Sequence, residues 1–155
     1  MYIFIYLAGG VILKTLKQIL NEKKYQEIIS ISPDKLVYEA LGIMAEYRIG
    51  ALAVMEDGRL VGIFSERDYA REVALKNKSS RTTNIREVMT SKLIYAQASD
   101  LADSAMNTMS DKRIRHLPVM DGEKMVGMLS IGDLVKATIE YQESLIQQLE
   151  SYICS

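Results

Sequence analysis

Histidine, tryptophan and cysteine are nearly missing from this chain of 155 residues, which has one His, no Trp and one Cys. A single histidine excludes any site that needs two within one chain, including most histidine-rich metal centres. Cys154, beside the C-terminus, cannot form an intrachain disulfide or a multi-cysteine zinc site, and its isolation fits a reducing, cytoplasmic location. Neither sign of charge dominates: 19 Lys+Arg stand against 20 Asp+Glu, a formal net charge of −1. No overall field therefore draws the protein to nucleic acid or to an anionic membrane. The apolar opening Met1–Leu13 is shorter than the roughly 20 residues of a spanning helix and lacks the basic start of a signal peptide. It reads as an N-terminal extension over 1–12, an extra strand or a tail, and not as a membrane anchor. The phosphate loop G-x-x-x-x-G-K-[ST] and the dinucleotide turn G-x-G-x-x-G are absent as well. With no convincing cluster of carboxylates for metal-assisted hydrolysis, no catalytic residue and no metal ligand is nominated.

What the sequence does have is itself, twice. Val61-Gly62-Ile63-Phe64-Ser65-Glu66-Arg67-Asp68 aligns with Val126-Gly127-Met128-Leu129-Ser130-Ile131-Gly132-Asp133, an offset of 65 residues as from Gly62 to Gly127. The offset holds upstream without a gap, pairing Leu36 with Leu101, Ala40 with Ala105, Met44 with Met109, Arg48 with Arg113 and Val54 with Val119. Two related units, roughly Ile28 to Leu75 and Leu93 to Ile139, normally pack about a pseudo-twofold axis.

Each unit opens on a short apolar run (Ile28-Ile29, Leu93-Ile94), followed by a helix start at Ser32-Pro33-Asp34 or Ser99-Asp100. Leu36, Ala40, Leu41 and Met44, like Leu101, Ala105, Met106 and Met109, recur at helical spacing and predict one buried face. Two β-rich runs then flank Glu56-Asp57-Gly58-Arg59 or Asp121-Gly122-Glu123-Lys124, and Asp-Gly between apolar runs predicts a hairpin. A second helix closes the unit. The predicted architecture is α+β, two β-α-β-β-α repeats with helices to one side of a small sheet. Before the repeats, Leu13 to Leu20 predicts a helix that packs across the pair. Between them, Lys76 to Asn84 reads as a solvated basic connector, without the interleaved aromatics that would favour nucleic acid. The expected division is 1–12, 13–84 and 85–155. The last helix outruns its unit, with Leu134, Thr138, Tyr141, Leu145, Leu149 and Tyr152 on one stripe that suits a second copy of the chain or its own N-terminal helix.

The chemistry sits at the repeated Ser-x-x-Asp after a strand. Ser65 and Ser130 fall where a helix N-cap belongs, so their hydroxyls and the first backbone amides favour an anion such as phosphate. Asp68 and Asp133, three residues on, can accept from two vicinal hydroxyls, as on a ribose. Gly62 and Gly127 permit close backbone approach. The alternative is a plain capping box, Ser to the third amide and Asp back to the cap. The duplication of the motif favours the binding role.

At these residues the sequence resembles the CBS domain, and the whole resembles a stand-alone bacterial CBS-domain pair. The resemblance runs through Ile49-Gly50-Ala51-Leu52-Ala53-Val54-Met55, Ile63 to Arg71, Val88-Met89-Thr90, and Asp111 to Val119 leading to Ser130-Ile131-Gly132-Asp133. It implies regulation rather than catalysis, and two clefts between paired sheets that take AMP, ADP, ATP, S-adenosylmethionine or NAD(H). Carried over, Asp68 and Asp133 hold ribose hydroxyls, while Ser65 and Ser130 contact the sugar-phosphate end. Arg67 is a phosphate contact whose counterpart is Gly132, which makes the first cleft the stronger. Arg115 and His116 reach for phosphate where their counterparts, Gly50 and Ala51, carry no charge. Ile29, Ile94 and Ala51 are candidates for an adenine slot, and Gly50 and Pro118 complete the set. The resemblance also implies a homodimer and a regulated partner protein, with neither nucleic acid nor membrane as partner.

Overall fold

The computed structural model describes residues 14–23 and 27–154. The expectations for residues 1–12 and for Leu13 lie outside them. The chain divides into two compact units, one of Glu27–Ile94 and one of the residues up to Gln26 together with Tyr95–Ser155.

In the first unit, strand β1 (Ser30–Ile31) is followed by a helix over Val37–Tyr47, then β2 (Ala51–Glu56) and β3 (Arg59–Ser65). The sheet has the order β1-β2-β3, with β1 parallel to β2 and β2 antiparallel to β3. The strand lies two residues beyond the apolar pair Ile28-Ile29, because Ser30 and Ile31 are the residues in register with Ala53 and Val54. The helix begins later than Ser32-Pro33-Asp34 predicts. Those residues form a turn in which Lys35 N donates to Ser32 O at 3.2 Å, and the cap bond is from Leu36 N to Glu39 Oε2 at 2.9 Å. The buried face is accordingly Val37, Ala40 and Met44, with Leu36 at the cap, and it packs with Leu52, Val54, Phe64, Val73, Ile85 and Val88.

The Asp57-Gly58 loop has positive φ at both residues, 52° and 75°, the conformation of a type I′ hairpin turn. After β3, the chain makes one helical turn, Glu66–Asp68, and continues as a wider π-helical segment, Tyr69–Ala74. That segment ends with Leu75 N on Ala70 O and Lys78 N on Val73 O, while Glu72 pairs with Lys76 on its outer side. The connector after it is more than a solvated link. Ser80 O and Thr83 O accept from Tyr38 N and Val37 N at 2.9 Å each, and Thr83 is buried, so the backbone satisfies the free amides of the first helix. A short helix, Ile85–Val88, follows within this unit, and Thr90 beyond it bridges Ile63.

The second unit repeats the plan with β4 (Ala96–Gln97), a helix over Ala102–Lys112, β5 (His116–Asp121), β6 (Lys124–Ser130) and a long helix over Ile131–Cys154. Its sheet order is β4-β5-β6 with the same parallel and antiparallel pairings. The strand again lies beyond the expected apolar pair Leu93-Ile94. Ala102, Ala105 and Met109 form the buried helix face, whereas Leu101 is partly exposed at the cap. The hairpin loop is again two residues, but it is Gly122-Glu123, with positive φ at Gly122.

The lead-in helices depart from the expected division at 84/85. The helix Leu16–Glu22, expected at the head of the first repeat, packs with the second: Leu16 N donates to Asp100 O and Ala102 N to Lys14 O. The helix Ile85–Val88, expected to open the second repeat, packs with the first, where Ile85 N donates to Lys35 O and Arg86 N to Pro33 O. Arg86 also bridges Asp34 and Glu56 at 3.0 and 2.9 Å. These two helices correspond at an offset of 69 residues, as from Thr15 to Asn84, each capped by a box that uses Gln18 or Glu87. Thr15 bridges Leu101 as Leu36 bridges Asn84. No helix among the described residues is long and apolar enough to cross a membrane.

Candidate functional site

In the first unit, the end of the sheet gathers most of the expected residues. Ala51 is in register with Ser65, and Glu66 N donates to Gly50 O at 3.0 Å. Ile29 O accepts from Ala53 N at 3.3 Å, so the residue stands one step before the sheet and packs on the core. Ser65 caps the turn: its Oγ accepts from Asp68 N at 3.2 Å, while its own N donates to Asp68 Oδ2 at 2.8 Å and its hydroxyl to the same oxygen at 2.9 Å. The other carboxylate oxygen, Oδ1, accepts the Thr90 hydroxyl at 2.9 Å. Arg67 follows the cap and is half-buried.

In the second unit, His116 is in register with Ser130 and Pro118 with Met128. Arg115, exposed, accepts Ile131 N on its carbonyl at 2.8 Å. Ser130 N donates to Asp133 Oδ2 at 2.8 Å, and Ser130 Oγ accepts from Asp133 N at 3.1 Å. Ile94 falls within the first compact unit.

Two readings of the motif change. The capping box is realised at both copies, and the first amide of each helix is held by Gly50 O or Arg115 O, so these amides are already bonded rather than open to an anion. The two glycines admit the protein's own chain. A β-carbon on Gly62 would lie 2.6 Å from Met89 Sδ and 3.1 Å from Thr90 O, and one on Gly127 would lie 2.6 Å from Leu20 Cδ2. The close approach is by Leu20, inside the helix Leu16–Glu22, and by Met89 and Thr90, just after the helix Ile85–Val88, residues that the 65-residue offset does not relate to each other.

One residue in contact with the motif was not among the expected site residues. Lys23 Nζ lies 2.9 Å from Asp133 Oδ2 and donates to Met128 O at 2.9 Å. It thereby matches Thr90, whose backbone N donates to Ile63 O at 2.8 Å and whose hydroxyl reaches Asp68. The two contacts differ in charge and in the oxygen they reach: the Thr90 hydroxyl bonds Asp68 Oδ1, which the cap does not use, whereas the Lys23 ammonium lies against Asp133 Oδ2, which also takes the Ser130 amide. Burial alone would raise the Asp133 carboxyl, but the Ser130 amide and the Lys23 ammonium outweigh it and hold the group below the usual carboxylate range. The 69-residue offset from Thr15 to Asn84 aligns Lys23 with Lys92 rather than with Thr90, so the sequence carried no signal for this pairing.

A sheet of this order, twice, with a Ser-x-x-Asp box after its last strand, is the plan of a CBS-domain protein. The chain matches the CBS domain family over residues 17–75 and again over 85–140, and it belongs to that family. Among curated proteins, it is 39% identical over 125 residues to CBS domain-containing protein CBSX3, mitochondrial, of Arabidopsis thaliana. The match takes in 77% of this chain and 61% of that protein, so the chain spans less than two thirds of this relative. Among solved structures, it is similar to a protein with CBS domains from Burkholderia ambifaria, with a TM-score of 0.79 and 44% identity over 82% of this chain and 95% of the other. The CBS domain pair of protein MJ0100, in complex with 5′-methylthioadenosine and S-adenosyl-L-methionine, matches with a TM-score of 0.70 and 27% identity over 80% and 94% of the two chains.

Proposed function

We propose that this protein is a regulatory sensor of adenosine-containing ligands, with AMP, ADP, ATP or NAD(H) as the ligand and S-adenosylmethionine as the alternative. The observation that carries the reading is the paired placement of Asp68 and Asp133. Each is fixed by a serine cap and each carries one exchangeable partner, the Thr90 hydroxyl or the Lys23 ammonium. A ribose diol can take the place of such a partner without dismantling the cap. Support also comes from the MJ0100 pair, bound to two adenosine derivatives. In this reading, Ser65, Arg67, Gly50 and Ala51 accompany Asp68, and Ser130, Arg115, His116 and Pro118 accompany Asp133. Ile29, Ile94 and Ala51 are retained as adenine-slot candidates. The repeats, 13–84 and 85–155, each supply one motif, and the partner of each aspartate comes from the other repeat.

No chemistry on the ligand is required. Ligand favours one conformation over another and so alters the surface offered to a regulated protein. The long helix serves a homodimer, because Ile146, Leu149, Tyr152 and Ile153 form an exposed apolar stretch beyond its buried residues Leu134 and Ala137. A cytoplasmic setting belongs to the same reading.

A thermal-shift panel of AMP, ADP, ATP, S-adenosylmethionine, NAD+ and NADH tests it. Ligand at a hundredfold excess over Kd stabilises by about 2.7 kcal/mol, and the double variant Asp68→Ala, Asp133→Ala should abolish the shift. Absence of any shift at millimolar ligand favours the second reading, an adaptor in which both boxes only cap helices, as their geometry allows.

A further inference from the structure

The two copies of the motif are chemically unequal in a way that the repeat conceals. Asp68 is met by a hydroxyl from Thr90, and Asp133 by an ammonium from Lys23. The side chains of Lys23 and Asp133 are 28% and 26% exposed, so this ion pair is mostly withdrawn from water. Replacing Thr90 at Asp68 with a ligand hydroxyl exchanges one neutral donor for another. Replacing Lys23 at Asp133 leaves a partly buried ammonium without its counter-ion, which is unfavourable unless a new anion arrives with the ligand.

Resting on the proposed function, we propose that Lys23 is a specificity-determining residue that makes the Asp133 motif select phosphorylated over neutral adenosines. The ammonium, which shares Oδ2 with the Ser130 amide, turns from the carboxylate to become the counter-ion of the ligand's phosphate as the ribose hydroxyls bind Asp133. The flexible stem of lysine allows that movement while Met128 O remains an alternative acceptor. The sequence is consistent with this division of labour. Where the first motif has Arg67, the second has Gly132, and Lys23 restores the cation from another element. Arg115 and His116 add basic groups at the same end of the sheet, with His116 in register with Ser130.

The test isolates the second motif with Asp68→Ala, or with Asp68→Asn should the first variant fail to fold. It compares AMP with adenosine by calorimetry in three forms of that background: Lys23 intact, Lys23→Gln and Lys23→Arg. With Lys23 intact, AMP should bind at least tenfold more tightly than adenosine. Lys23→Gln should bring the ratio close to one, weakening AMP while leaving adenosine equal or tighter, and Lys23→Arg should restore the preference. A merely structural lysine would weaken both ligands alike, and that outcome overturns the inference. So does an unchanged ratio in Lys23→Gln. If AMP binds the unmutated protein but the ratio does not respond to Lys23, the sensor reading stands without this inference. If no adenosine compound binds the unmutated protein, both fail.

Discussion

Leu20 stands against Gly127 so closely that a β-carbon on the glycine would lie 2.6 Å from its Cδ2 and 2.9 Å from its Cδ1. The contact locks a lead-in helix onto the second sheet, and it has a counterpart in Met89 against Gly62. Gly127→Ala should therefore destabilise the protein by about 1–3 kcal/mol, the usual range for overpacking. Leu20→Ala in the same chain should recover part of that loss. Urea unfolding of the two single variants and the double gives the coupling; strictly additive values would show that the two positions do not press on each other.

Asp133 should make stability sensitive to acid. Its folded carboxyl is held below the ordinary value of 3.8, although burial opposes this, because the Ser130 amide and Lys23 prefer the ionised form. A depressed folded value stabilises fully above the unfolded one and is lost as pH falls through the folded one. The urea midpoint of the unmutated protein should thus fall more steeply below about pH 4 than that of Asp133→Asn. Parallel profiles would remove Asp133 as the source.

Arg48 ends the first long helix in a left-handed conformation, with φ 54° and ψ 47°, and it is exposed. Glycine adopts that conformation without a β-carbon penalty. Arg48→Gly should raise stability by about 0.5–1 kcal/mol, whereas Arg48→Val should lower it, since β-branching disfavours positive φ. Thermal unfolding of the two variants distinguishes these directions.

The far half of the C-terminal helix tests the homodimer. The whole element has 24 residues, about 36 Å at 1.5 Å per residue. Ile146→Glu with Leu149→Glu should convert a dimer to a monomer in light scattering, with the far-ultraviolet dichroism of the folded units retained. A wild-type chain that is already monomeric at high concentration would end the homodimer reading.

The repeated plan was legible because it depends on local pattern. Gly62 and Gly127, Ser65 and Ser130, and Asp68 and Asp133 share one offset, and each apolar run carries its strand or helix period. The hairpins were legible too, although the positive φ falls on Asp57 and Gly58 in one and on Gly122 in the other. Strand and helix starts were displaced by a few residues, since register with Val54 or Val119 decides where pairing begins.

By itself, the sequence determined the α+β class, the two repeats, the paired serine caps and the family. These follow from periodicity and from side chains that act within a few residues of one another. Only the tertiary structure decided that Lys23 faces Asp133 across 110 positions, that Thr90 faces Asp68, and that each lead-in helix packs with the repeat other than the one it precedes. Such pairings are set by which surfaces bury together. Gly127 accepts Leu20 and Gly62 accepts Met89 because a bare backbone leaves room for a neighbouring chain, and nothing in local pattern says which segment will come.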